Sequence, residues 1–385
     1  MTIDFQPHIQ QIKKLFPGQD RIALHEPQFF GKEMTYLADT IESTFVSSVG
    51  AYVNRVEDEL AALTKTQRAV AVVNGTSALQ VCLRLVGVQQ GDEVLTQALS
   101  FVATSNSIAY LGAKPVFIDV DLDTMGMSPD ALGTFLEEFA ELREEGCYNK
   151  LTGKRIRACM PMHTFGFMCR IEQIKHICEQ WHIPLIEDAA EALGSSYKNQ
   201  PAGSFGKLSA LSFNGNKLIT AGGGGAIVMQ DKKLGEKAKH LTTTAKLPHT
   251  YEYIHDALGY NFRMPNLNAA LLCGQIEQMQ IILERKKELF QAYETEFKDL
   301  LKPIPKDTQW NYWLMSLQLK DRKERDEFLE QSNAQGIMTR PIWTLLYKLP
   351  MYQDCQKDAQ RNAECLEDRI VNIPSSAVII PTNKS

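Results

Sequence analysis

Between residues 69 and 229 the sequence alternates short, continuously apolar runs with stretches of helical periodicity, and this constrains the fold more than any other feature. Ala69-Val70-Ala71-Val72-Val73 is apolar and β-branched, as a strand buried on both faces must be. It stops at Asn74-Gly75-Thr76-Ser77, after which Ala78 to Val86 reads as a helix. A strand at 93–96, a helix at 102–111 and a strand at 115–120 follow. Ser128-Pro129-Asp130 has a capping serine and a first-turn proline, which predicts a helix from there to about Leu142. Further strands are expected at 156–161, 183–188, 208–213 and 226–229, with a helix at 171–180. Strands alternating with helices imply βαβ units, hence a mainly parallel sheet covered on both faces.

The flanks differ in character. Pro7, Pro17 and Pro27 interrupt any long helix in residues 1–33, whereas Glu33 to Val49 and Tyr52 to Leu63 carry apolar residues at helical spacing. Residues 143–155 read as a charged connection. Beyond Met229, Asn266 is expected to cap a long helix whose stripe includes Leu267, Leu271, Ile276 and Ile282. Strands return at 310–319 and 370–374, with a helix at 322–331 between them. A chain of 385 residues exceeds the size at which one core stops growing. Two domains are therefore expected: a large one over 1–255 with an N-terminal helical segment, and a smaller α+β one over 256–385.

Composition excludes several classes. The formal net charge is −5 and no Lys/Arg-rich tract occurs, so no electrostatic footprint for nucleic acid is present. No apolar run approaches the roughly 20 residues that cross a bilayer, and Met1 to Pro7 lacks a basic start and an apolar signal core. The eight cysteines include no C-x-x-C pair, which makes a reducing cytoplasm the expected compartment.

In open α/β sheets ligands bind beyond the carboxyl ends of the strands, and four such ends here carry polar or small groups. Gly75-Thr76-Ser77 opens a helix and reads either as an anion cradle or as a plain N-cap. His163 follows one strand and reads as a catalyst or a structural histidine. Asp188 ends another, as a functional carboxylate or an ordinary helix cap. Ser212 leads through a polar turn to Lys217, which is followed by Gly222-Gly223-Gly224-Gly225. Four glycines imply positive φ or a close approach by another group. Lys217 is either a solvated turn residue or an amine set up for Schiff-base chemistry. Pyridoxal phosphate needs a lysine, an anion cradle at a helix N-terminus and an acid beside its pyridine nitrogen, and all three occur here in chain order.

Gly75-Thr76-Ser77-Ala78-Leu79, Phe101-Val102-Ala103-Thr104-Ser105-Asn106, Glu187-Asp188-Ala189-Ala190-Glu191, Ser212-Phe213 to Lys217 with its glycines, and Gly259-Tyr260-Asn261-Phe262-Arg263-Met264 form an ordered set. Through them the sequence resembles the DegT/DnrJ/EryC1/StrS nucleotide-sugar aminotransferases over roughly residues 20 to 380. The resemblance implies an aspartate-aminotransferase-like fold and a homodimer with shared sites. It also implies the cofactor pyridoxal 5'-phosphate, an amino-acid donor such as glutamate, and a nucleotide-linked 4-keto-6-deoxy hexose as acceptor.

Carried over, Lys217 is the lysine that binds the cofactor and moves the proton, and Asp188 the partner of the pyridine nitrogen. Phe101 stacks on the ring, while Gly75, Thr76, Ser77 and Ser212 hold the phosphate. Asn261 reaches the phosphate across the dimer, His163 and Glu191 lie near the ring or sugar, and the glycines leave room beside the lysine. Trp313 and Arg340 either contact the sugar or nucleotide or serve packing and surface. The sequence departs from the family in carrying Glu191 where glutamine is common, and Gly223 or a neighbour where a glutamate is common. The first departure leaves the contact to the ring hydroxyl open, and it resembles enzymes that make 4-amino sugars for legionaminic and related acids. Lys217 favours transamination over the sister branch of sugar dehydratases, which has histidine there. A lyase of the same fold and a non-catalytic binding or regulatory protein are the alternatives.

Overall fold

In a computed structural model, which describes residues 4–379, the apolar runs form the centre of the larger of two layered units. Its strands are β1 (Arg68–Val72), β2 (Glu93–Gln97), β3 (Lys114–Ile118), β4 (Ile156–Cys159), β5 (Ile186–Asp188), β6 (Leu208–Ser212) and β7 (Gly225–Met229). Two hydrogen-bonded groups, β3-β2-β4 and β5-β6-β7-β1, meet through parallel bridges from Cys159 to Leu185 and from Met162 to Asp188. The spatial order is therefore 3-2-4-5-6-7-1. Only β7 runs antiparallel to its neighbours, because the link from β6 carries no crossover helix to turn the chain parallel.

Helices cover both faces of this sheet, as parallel strands require. After α1 (Gln6–Leu15) and α2 (Glu33–Glu42), which pack on the long C-terminal helix instead, they are α3 (Ala51–Leu63), α4 (Gly75–Leu85), α5 (Val102–Ala109), α6 (Pro129–Phe139), α7 (Ile171–Gln180) and α8 (Lys232–Thr242). The long α9 (Asn266–Phe297) packs first on α2 and α3, and near its far end Tyr293 donates its hydroxyl to the Pro374 carbonyl at 2.9 Å. The smaller unit is an antiparallel sheet of β8 (Ser316–Gln318), β9 (Arg340–Pro341) and the central β10 (Ile370–Asn372), packed on α10 (Arg322–Ala334). The N-terminal segment joins this unit: Phe5 packs edge-on against Phe328 at 5.1 Å, and Ile22 bridges to Ile337.

The expected α/β architecture is present, with local differences. The helix from Ser128 stops at Phe139, and the charged connection contains a hairpin pairing Ala140–Arg143 with Gly146–Asn149. Arg143 there pairs with Glu141 on its own strand and lies over the ring of Tyr148 on the facing one. The helix from Glu33 ends at Glu42, leaving Phe45 and Val49 exposed in a loop. Asn266 does not cap α9; Pro265 holds that position. The Asn266 amide instead donates to the Phe45 carbonyl at 2.7 Å and accepts from the Val53 N–H at 3.3 Å, tying α9 to the loop before α3. Among the described residues no helix is long and apolar enough to cross a membrane, and all eight cysteines are free thiols.

Candidate active site

The carboxyl ends of β1, β2, β5 and β6 open onto one cavity of about 670 Å³, roofed by residues of the smaller unit. At the end of β1, Asn74 adopts an extended backbone and accepts the Ser77 N–H on its side chain at 2.8 Å, which starts α4. The first turn of α4 thus directs its remaining N–H groups into the cavity, where Gly75 and Thr76 line the wall beside Ser212. Gly75 has no space for a side chain: a Cβ there would lie 2.9 Å from the Ser212 Cβ. Together these form a cradle for a small anion.

Asp188 ends β5, buried to 2% exposure, with Oδ2 accepting from the Thr104 hydroxyl at 2.7 Å and Oδ1 from the Ala190 N–H at 3.2 Å. Burial pushes its carboxyl above the usual range, partly offset by the Thr104 hydrogen bond, the Ala190 N–H and the Lys217 charge. Lys217 stands on the turn after β6, its Nζ 3.1 Å from Glu191 Oε1 and 4.1 Å from the centre of the Trp313 ring. The second Glu191 oxygen accepts the Phe165 N–H at 2.9 Å. Phe165 has φ of +54°, an uncommon conformation for a bulky residue, and it is this turn that aims the N–H at Glu191. Burial raises the Glu191 carboxyl too, against the pull of the Lys217 charge.

Of the expected site residues, Gly75, Thr76, Phe101, Asp188, Glu191, Ser212, Lys217, Trp313 and Arg340 converge on the cavity wall. Three stand elsewhere. Ser77 is buried beneath Asn74, its N–H spent on the cap. Asn261 is exposed and lies off the cavity of its own chain. His163 is fully buried, with Nδ1 accepting the Cys169 N–H at 3.2 Å and Nε2 bonded to Glu187 at 3.1 Å.

That Glu187 carboxylate also accepts from the N–H groups of Gly203, Phe205 and Gly206 and from the Ser209 hydroxyl. Burial alone would raise its pKa, but His163 and these N–H groups outweigh burial and hold it below the usual range. Since the His163 N–H donates to the Asp188 carbonyl, the His163–Glu187 pair acts as a strut behind Asp188.

The glycine run also serves a different end from the one expected. None of Gly222 to Gly225 lines the cavity. Gly222 has φ of +74°, and a Cβ on Gly225 would lie 2.5 Å from the Asn74 backbone. The run thus lets β7 close against the strand end that forms the cradle. Thr104, Asn214, Asn216, Phe165 and Trp343 are wall residues to which the sequence assigned no role. The nearest signal was in the quoted motifs: Thr104 lies one turn after Phe101, on the helix that faces the end of β5.

These residues fit pyridoxal phosphate. The cradle would take the phosphate, the buried carboxylate would suit a protonated ring nitrogen, the amine would suit a carbonyl, and the half-exposed Phe101 ring would offer a flat face. Fold and site together define a pyridoxal phosphate-dependent aminotransferase of the aspartate-aminotransferase-like type. The chain belongs to the DegT/DnrJ/EryC1/StrS aminotransferase family, whose model matches residues 28–382.

Among curated proteins it is similar to the GDP-perosamine synthase of Escherichia coli O157:H7, 35% identical over 92% of this chain and 93% of that one. EpsN of Bacillus subtilis (strain 168), named as a pyridoxal phosphate-dependent aminotransferase, is 33% identical over 93% and 91%. Among solved structures, Helicobacter pylori PseC superposes with a TM-score of 0.83 at 24% identity, covering 93% of this chain and 94% of that one. That likeness is one of fold.

Proposed function

We propose that this enzyme transfers an amino group from an amino acid, glutamate in the simplest case, to a keto sugar carried on a nucleotide. The acceptor position we propose is C4 of a 4-keto-6-deoxy hexose. The observation that carries this reading is the convergence of Lys217, Asp188 and the Gly75–Thr76–Ser212 cradle on a single cavity. The similarity to GDP-perosamine synthases supports a nucleotide-linked sugar acceptor, and the similarity to the spore coat polysaccharide biosynthesis protein SpsC of Bacillus subtilis supports a role in making a surface polysaccharide. The eight free thiols are consistent with a cytoplasmic site of action.

When bound, pyridoxal phosphate supplies a carbonyl that accepts the amino group and a ring that draws electrons from the adjoining carbon. The chain's own residues do the rest. Gly75, Thr76 and Ser212 fix the phosphate end. Asp188, anchored by Thr104, keeps its negative charge beside the ring nitrogen. The Lys217 amine would take a proton from the donor's α-carbon and give it up on the far side of the transferred nitrogen; in the second half-reaction it would move a proton in reverse, to the former carbonyl carbon of the sugar. The donor leaves as a 2-oxo acid and the sugar leaves as an amino sugar. Trp313 and Arg340 form the side of the cavity left for sugar and nucleotide.

A homodimer completes the proposal. Phe29, Met34, Ile41, Phe45, Val49, Tyr251, Tyr253 and Leu258 are all exposed, which a second copy of the chain would cover. Asn261, exposed and outside the wall of its own cavity, would then be free to serve the partner's cavity.

The expected result is a visible absorbance band in the purified protein that bleaches with glutamate and returns with a nucleotide-linked keto sugar. A band that glutamate leaves untouched would favour a lyase instead, and a protein that takes up no cofactor would refute the reading.

A further inference from the structure

The proposed mechanism leaves one buried lysine unused. Lys286, on α9, is fully buried. Its Nζ donates to two backbone carbonyls, that of Trp313 at 3.1 Å and that of Ser375, and among the described residues it has no carboxylate partner. Burial pushes its pKa well below the ordinary value. A neutral amine has two N–H groups, as many as the two carbonyls take. Removing an amine from water is costly, and methionine would fill the same space without that cost. The cost is offset by what the N–H groups hold.

They hold backbone that no ladder supports. Residues 310–315 form neither helix nor strand, yet Trp313 and Leu314 from this stretch line the cavity. The centre of the Trp313 ring lies 4.1 Å from the Lys217 Nζ. Just before it, Tyr312 has φ of +55°, a conformation that costs a bulky residue free energy and persists only where its surroundings enforce it. Here they do. The Asn311 side chain accepts the Trp313 N–H at 3.0 Å, and Lys286 holds the Trp313 carbonyl, to which nothing else among the described residues donates. One turn along α9, the Phe290 ring lies 5.5 Å from that of Tyr312. The other carbonyl belongs to Ser375, whose own N–H donates to the Leu24 carbonyl at 2.8 Å, and Leu24 is also a wall residue. One amine thus fastens α9 to two separate stretches behind the cavity wall.

We propose that Lys286 is a positioning residue: it pins the strained Tyr312–Trp313 backbone so that the indole stays against Lys217. This rests on the reading of Lys217 as the cofactor-binding lysine. Lys286 does not line the cavity and acts through Trp313. Without the pin, Tyr312 relaxes and the indole no longer keeps a fixed distance from the amine. The steps that Lys217 carries out then slow, because a shift of about 1 Å at a reacting group can cost on the order of 10²-fold in rate.

The test compares Lys286→Met, Lys286→Gln and Tyr293→Phe in the full-length protein. Tyr293→Phe removes another hydrogen bond from α9 to the same tail, at the Pro374 carbonyl, and leaves Trp313 untouched. The first readout is acrylamide quenching of Trp313 fluorescence in the cofactor-free protein. It is taken as the difference from the same protein carrying Trp313→Phe, because the chain has four tryptophans. The second is the rate at which saturating glutamate bleaches the visible band.

In Lys286→Met, quenching is expected to rise and bleaching to slow about 10- to 100-fold, with the glutamate concentration for half-maximal rate little changed. Lys286→Gln keeps two N–H donors on a shorter stem and should fall between Lys286→Met and wild type in both readouts. Tyr293→Phe should melt lower yet match wild type in both. A folded Lys286→Met protein that melts lower but matches wild type in both makes the lysine a stability residue and overturns the proposal. If Lys286→Met does not fold, a Lys286→Gln protein that matches wild type in both overturns it equally. The quenching needs no cofactor, whereas a wild type that shows no band with pyridoxal phosphate refutes the reading of Lys217, so either can fail alone.

Discussion

Lys217→Ala is expected to lower transamination by about 10³- to 10⁴-fold, the upper part of the range for a lost acid–base group, and to abolish the visible band of the bound cofactor. Among the described residues Lys217 is the one lysine on the cavity wall, so no other amine stands ready to replace it. The ammonium it removes is also the partner of Glu191. With that ion pair gone, Glu191 is left buried without a counter-charge, and its carboxyl is expected to take up a proton at higher pH than in the wild type. The checks are steady-state rates and the absorbance spectrum, with circular dichroism to confirm the fold. A band that persists in the variant would assign cofactor attachment to another amine.

The second large effect is expected from Asp188→Asn. The amide keeps the shape and one hydrogen bond to Thr104 but cannot hold a negative charge beside the ring nitrogen. Loss of one such preorganised electrostatic contact costs on the order of 10²- to 10³-fold in rate. Stability should respond differently. Burial raises the Asp188 carboxyl above its ordinary value, so its contribution in the cofactor-free protein is present at low pH and is lost as pH rises through the raised value. Asp188→Asn removes that loss. The cofactor-free variant should therefore melt no lower than the wild type near neutral pH, and its melting temperature should depend less on pH. Parallel thermal melts and rate measurements separate the two effects; a variant that melts far lower would make Asp188 a structural residue first.

The sheet was legible because strands covered on both faces carry apolar cores, as Val70 to Val72 in β1, Val116 to Ile118 in β3 and Ala226 to Met229 in β7 do, while β2, β5 and β6 also bury polar residues such as Gln97, Glu187 and Ser209. Lys217, Asp188 and the Gly75–Thr76 turn were legible for a related reason: each breaks an apolar run where the fold opens to a ligand. Other features depend on what the chain meets in three dimensions. Gly225 is glycine because the Asn74 backbone passes 2.5 Å from where its Cβ would be, a contact across 151 positions that no local pattern encodes. His163 reads as a candidate catalyst until Glu187 and Cys169 are seen to occupy both its ring nitrogens.

The apolar periodicity after Glu42 misled for a physical reason as well. Helical spacing marks residues that need covering, and Phe45 and Val49 remain exposed in this chain. In the proposed homodimer they gain that cover from the second copy. The hairpin at 140–149 escaped notice because Glu141 and Arg143 on its first strand and Glu144 and Glu145 in its turn form a charged run, which pattern rules assign to loops.

The central claim is tested most directly by incubating the protein with pyridoxal phosphate, glutamate carrying heavy nitrogen, and a panel of nucleotide-linked 4-keto-6-deoxy hexoses. The nucleotide fraction is then weighed by mass spectrometry. The account predicts a nucleotide-linked amino sugar carrying the heavy nitrogen, formed with 2-oxoglutarate in equal amount and absent with Lys217→Ala. A sugar product without the label, or one that has lost a hydroxyl as water, would contradict it.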